Sequence, residues 1–137
     1  AALAASGITN LDTSHVRTEP DGKGGSVKKR YKFGEGSDEG LVHFISNCAF
    51  EPVKESPDEV EKVLKQIRAA FRWNKPALIN THRINYVRGR GNHTRENNLL
   101  ALKRLLNEII KQWPDAEFMG GGEFSDYMNS NLSGKTK

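Results

Sequence analysis

Pro76-Ala77-Leu78-Ile79-Asn80-Thr81-His82-Arg83-Ile84-Asn85-Tyr86 opens on a short apolar run. At Asn80 it breaks into side chains that hydrogen-bond or carry charge. A short continuous apolar run reads as a strand buried on both faces. With a helical pattern on each side, the run becomes a βα unit. In parallel α/β architectures chemistry gathers at the carboxyl ends of the strands. His82 and Arg83 fall where this strand ends.

The preceding pattern predicts a helix over Pro57 to Trp73. Ser56 is suited to the N-cap, Pro57 to the first helical position, and Glu59 to a capping box. Val60, Val63, Leu64, Ile67 and Phe71 recur at three-and-four spacing, which puts them on one face. Asn74 can end the helix and Pro76 forbids its continuation. Past the organising stretch, a loop with Arg88, Arg90 and His93 leads to a second helix from about Arg95 to Trp113, capped by Thr94. Its expected buried stripe is Leu99, Leu102, Leu106, Ile109 and Trp113, flanked by Leu105 and Ile110. Pro114 stops it. Ala116 to Met119 reads as a further strand, three glycines follow, and Glu123 to Met128 reads as a last short helix. Residues 129–137 read as a flexible tail.

Toward the amino terminus, Leu41 to Ser46 and Ile8 to Leu11 read as strands. Between them Thr18 to Gly40 is long, polar and glycine-rich, with Val27 to Phe33 fit for one arm of a hairpin. Ala1 to Ser6 reads as a helix end stopped by Gly7. A chain that starts inside a helix, with no Met, suggests an upstream part. The alternation of strands and helices predicts a mostly parallel α/β sheet with right-handed crossovers. Four strands with few helices would leave a parallel sheet partly uncovered. The expectation is therefore that residues 1–128 are the C-terminal βα units of a larger, incomplete (β/α) barrel. Alone, such a piece would pair with its missing part or self-associate through open edges.

A length of 137 residues bounds the chain to one modest domain. No apolar run approaches the roughly 20 residues of a membrane span, and no signal peptide is visible. Cys48 is the only cysteine, so an intramolecular disulfide is ruled out. The formal charge is +4, and much of the excess lies in Lys28, Lys29, Arg30 and Lys32. Neighbouring Tyr31 and Phe33 show no base-stacking pattern, so the run reads as a solvated loop or hairpin and nucleic acid is not expected as a partner.

The strand ends supply the candidate chemistry: Asp12 with His15, Asn47 with Glu51, His82 with Arg83, and Glu123 after the glycines. A carboxylate and an imidazole brought together serve as acid and base. Asp12, His15 and His82 are also of the types that hold a divalent metal. Along the chain they are too far apart to decide between these roles. Gly120 to Gly122 lacks the pattern and the Lys of a phosphate-binding loop, and no Ser stands in a nucleophile elbow.

Asn47-Cys48-Ala49-Phe50-Glu51-Pro52 and Ala70-Phe71-Arg72-Trp73-Asn74-Lys75-Pro76-Ala77 resemble the C-terminal part of bacterial proteins in the polysaccharide deacetylase-like, or glycoside hydrolase/deacetylase, barrel superfamily. Asn80 to Tyr86 and Trp113 to Met119 continue the similarity, which covers most of the chain from Leu3 to Met128. The resemblance implies an incompletely closed (β/α) barrel that hydrolyses acetyl groups or glycosidic bonds of a carbohydrate polymer, in a periplasmic or secreted setting. It implies no cofactor within this chain and allows a divalent metal in the full-length protein, held by upstream motifs. His82 matches the histidine that ends the last motif strand and protonates the leaving group. Asn80 stands two residues before it where deacetylases have an apolar residue, and Arg83 follows where an Asp is frequent. The expected site is thus His82 as general acid, with Asn47, Glu51, Arg83 and Asp12 contacting substrate. The alternative is a non-catalytic carbohydrate-binding or scaffold piece.

Overall fold

The computed structural model describes residues 5–13, 15–36, 41–52, 58–87 and 94–133. Its strands are β1 (Asn10–Thr13), β2 (Val16–Pro20), β3 (Ser26–Arg30), β4 (Glu35–Gly36), β5 (Val42–Ile45), β6 (Cys48–Ala49) and β7 (Ile79–Asn80). Its helices are α1 (Glu59–Arg72), α2 (Thr94–Gln112) and α3 (Gly121–Ser133), with a 3-10 turn at Arg83–Tyr86.

The strands do not join into one parallel sheet. They make three small ones, ordered β1-β5-β4, β2-β3 and β6-β7. Pairing is parallel in β1–β5 and β6–β7 but antiparallel in β4–β5 and β2–β3. The expectation of barrel βα units is therefore corrected: among the described residues the fold is mixed α/β, with no parallel barrel. Two local causes are visible. In the glycine-rich segment, Asp21 Oδ1 accepts the N–H groups of Lys23 and Gly25, each at 2.8 Å. This side-chain-capped turn, with Gly22 at φ 72° and Gly24 at φ 89°, folds the segment into the antiparallel β2–β3 hairpin, one arm of which overlaps the expected Val27 to Phe33. At Ala116 to Met119, read as a strand, Ala116 N–H turns back onto the Trp113 carbonyl at 3.0 Å. No strand forms there, and Phe118 and Met119 stay exposed.

Helix α1 buries the face its spacing predicts: Val60, Val63, Leu64 and Ile67 are nearly inaccessible. Asp58 occupies its N-cap without a side-chain bond; Ser56 and Pro57 lie outside the described residues. Helix α2 matches the expected stripe only in part. Asn98, Leu105 and Ile109 point inward, whereas Leu99, Leu106 and Ile110 are exposed. Of the expected stripe Ile109 is buried and Leu102 and Trp113 pack against the core, so the period and part of the phase were legible. The inward position of a polar residue, Asn98, displaced the rest.

One core joins β6, α1 and α2: Cys48, Phe50, Val60, Val63, Leu64, Ile67, Leu105 and Ile109, with Phe71 and Trp113 packed against it. Those two rings meet edge to face at 5.3 Å, a favoured aromatic geometry. A smaller cluster places Phe124 of α3 on Phe44 of β5, with centroids 5.1 Å apart.

Burial pushes the Cys48 thiol up from 9.0 to about 11. Burial, and then the Arg17 charge, push the His43 imidazole below its ordinary 6.5. A raised thiol stabilises the fold below about pH 9, and this is lost as pH climbs through about 11. A depressed imidazole stabilises above 6.5, and this is lost as pH falls. Unfolding free energy, measured by urea denaturation across pH 5 to 10.5, should therefore peak between pH 6.5 and 9. A flat profile would contradict these two environments.

Candidate functional site

Parallel pairing of β6 and β7 sets Cys48 opposite Ile79 and Ala49 opposite Asn80. The ladder continues with Phe50 N–H donating to the Asn80 carbonyl at 2.9 Å. Carried one step further, this register brings Glu51 level with His82. The side chains meet: His82 Nδ1–H donates to Glu51 Oε1. Because an ionised carboxylate only accepts, the proton of this contact is carried on Nδ1. Nε2 is then left as the site where a proton is taken up or given.

The 3-10 turn after β7 adds a third member. With three residues per turn, Asn85 returns to the side of His82, and its N–H donates to the His82 carbonyl at 2.9 Å. Asn85 Nδ2 donates to Glu51 Oε2 at 2.9 Å. Asn98 of α2, only 2% exposed, donates from Nδ2 to the Asn85 carbonyl at 2.7 Å. Glu51 is also held through its backbone, whose N–H donates to Glu59 Oε1 at 3.3 Å. A rigid inner side thus carries an exposed working side: Asn85 is buried, while the His82 side chain is 71% accessible. Tyr86 lies alongside, its hydroxyl 2.8 Å from Thr81 Oγ1. Burial and then the Glu51 charge raise its phenol, against a lowering by the Thr81 hydrogen bond. Tyr86 therefore remains protonated where Glu51 is ionised.

The other expected site residues do not join this cluster. Asn47 clips the chain: its Nδ2 donates to the Pro76 carbonyl at 2.9 Å, and its Oδ1 accepts the Leu78 N–H at 2.8 Å. Both polar ends bond backbone, so Asn47 aligns β7. Asn47→Ala should cost about 1–2 kcal/mol for the two bonds, and Asn47→Asp should recover part of it through the retained acceptor. Equal losses for the two variants in thermal unfolding would rule out the clip.

Asp12 accepts from Ser46 Oγ at 3.2 Å. Both line a largely apolar cavity of about 560 Å³ walled by Phe44, Ile67, Phe71, Leu102 and Leu106; neither Glu51 nor His82 lines it. The Arg83 side chain is exposed, with no ion pair or hydrogen bond among the described residues. His15 is exposed as well, and His93 lies outside the described residues. Glu123 caps α3 by accepting the Gly120 N–H at 2.8 Å, which is a structural use.

The residues that sequence reasoning missed are Asn85, Asn98 and Tyr86. Only the spacing of three between His82 and Asn85 could have signalled the first of them. Among the described residues no three His, Cys, Asp or Glu side chains gather closely enough to hold a metal. No helix among the described residues is long and apolar enough to cross a membrane. Compared with protein-family models, curated proteins and solved structures, the chain matches none.

Proposed function

We propose that this chain supplies the proton-transfer part of a carbohydrate-active hydrolase, with His82 as general acid toward the leaving group of an acetylated or glycosidic polysaccharide. The observation that carries this reading is the Glu51–His82 pair on its asparagine support. Glu51 fixes the ring and its Nδ1–H, as the orienting group does in a nucleophile–base–acid constellation. When the ring is protonated, Nε2–H faces outward and can pass its proton to a departing oxygen or nitrogen. The carboxylate stabilises the imidazolium before that transfer, and the ring resets by taking a proton from water. Hydrolysis in this reading cleaves an acyl or glycosidic bond, and water supplies the incoming oxygen.

A second reading, a non-catalytic carbohydrate-binding piece, draws support from Asn47 and Asp12, which are engaged away from His82. One experiment separates the two. The full-length protein is incubated with acetylated and deacetylated polysaccharides, and released acetate and new reducing ends are counted. Release of either one that depends on His82 supports the hydrolase. Binding with neither product supports the second reading.

A further inference from the structure

Residues 16–32 hold six basic side chains against two acidic ones, a net of +4, which equals the formal charge of the whole chain. The rest of the sequence is balanced, so the excess is confined to the β2–β3 hairpin and its two flanking residues. Both acids of the segment are already engaged. Glu19 accepts from the Tyr31 hydroxyl, and Asp21 caps the turn. Lys23, Lys28, Lys29, Arg30 and Lys32 are all exposed, and none is in an ion pair among the described residues.

Strand geometry sorts these cations. Arg17 and Glu19 alternate inward, half-buried, while Val16, Thr18 and Pro20 are exposed. In the antiparallel register Thr18 pairs with Lys28 and Val16 with Arg30. Lys28 and Arg30 therefore share the outer face, about 7 Å apart along the strand. Exposed Lys23 stands at the turn, and Lys32 lies two residues beyond Arg30.

We propose that this outer face binds an acidic polysaccharide, its carboxylates tracking Lys23, Lys28, Arg30 and Lys32. Exposed cations along one hairpin face complement a polymer with one negative charge per repeat, and release of condensed counterions drives such binding. A nucleic acid fits less well. The segment's only aromatic, Tyr31, is 5% exposed and packs on His43 with centroids 4.0 Å apart, so no ring is offered to a base. Three of the four cations are lysines, point charges without the bidentate fork that reads base edges. Choosing a glycan among polyanions rests on the function proposed above; the location of the surface does not.

The test measures binding of the full-length protein to polygalacturonate, neutral dextran and a DNA duplex, without turnover. At about 50 mM salt, polygalacturonate should bind, and raising salt to about 200 mM should weaken it at least tenfold. The triple variant Lys23→Gln, Lys28→Gln, Arg30→Gln should weaken it tenfold or more with an unchanged melting temperature, since all three side chains are exposed. A control removing equal charge elsewhere (Lys65→Gln, Lys75→Gln, Lys103→Gln, also exposed) should have less than a threefold effect. Equal weakening by the two triples, tighter binding to DNA or dextran, or no binding at all overturns the proposal. None of those results bears on proton transfer by His82.

Discussion

Replacing His82 with Ala in the full-length protein should lower turnover of an acetylated or glycosidic polysaccharide by about a hundredfold or more, the scale of a lost general acid. Unfolding free energy should change by no more than about 1 kcal/mol, because an exposed ion pair contributes little to stability. The contrast matters. A variant that loses activity through misfolding would lose both, whereas removing a largely solvated ring takes away a proton carrier and almost no packing. Glu51→Gln should fall between wild type and His82→Ala. Gln keeps the shape and an acceptor for Asn85 Nδ2 but loses the charge that stabilises the imidazolium. Arg83→Ala should have little effect, since no described residue ties the guanidinium to the cluster. Initial rates of acetate or reducing-end release, taken with melting curves, check all three variants. A His82→Ala enzyme within threefold of wild type would remove His82 from the chemistry.

Leu105→Ala should be among the most damaging changes to the fold, costing about 2–5 kcal/mol. Leu105 is fully buried, at 0% exposure, in the cluster joining α2 to Phe50 and Leu64. Truncation there leaves a void that α1 and β6 cannot close without moving. Leu106, the next residue, is 37% exposed. Its truncation removes a partly solvated side chain from a cavity already present, so Leu106→Ala should cost about 1 kcal/mol or less. Urea denaturation of the pair measures the phase of α2. Comparable losses at the two positions would mean that the helix does not present the face described here.

The contrast at Leu105 and Leu106 also shows how far the sequence could be read. Helical periods in α1 and α2 are plain from apolar spacing, and α1 carries its stripe without interruption. In α2 the inward position nearest the amino end is Asn98, buried because its amide serves the Asn85 carbonyl. A polar residue at that position makes the apolar maximum point to Leu99 and Leu106 instead. The strands at Leu41 to Ser46 and Ala77 to Ile79 were legible as apolar runs, although shorter and shifted in the structure. How they pair was not legible, because partner choice depends on contacts distant in sequence; a hairpin arm near Val27 was legible, and its turn is set by one aspartate accepting two N–H groups. For the site, Glu51 and His82 could be named singly from their places after strands. Their meeting follows from the β6–β7 register, which no pattern along the chain encodes. Asn47 could be named only as a polar residue past a strand; that its amide bonds the Pro76 and Leu78 backbone depends on the neighbouring chain and not on its place in the sequence.

Everything proposed for catalysis turns on whether Glu51 holds the Nδ1 proton of His82. The direct measurement is nitrogen NMR of the His82 imidazole at a pH where the ring is neutral, in the wild type and in Glu51→Ala. With the pair as described, the wild type carries its proton on Nδ1, and Glu51→Ala returns the ring to the Nε2–H form usual for solvated histidine. A wild-type ring already in the Nε2–H form, unchanged by Glu51→Ala, would contradict it.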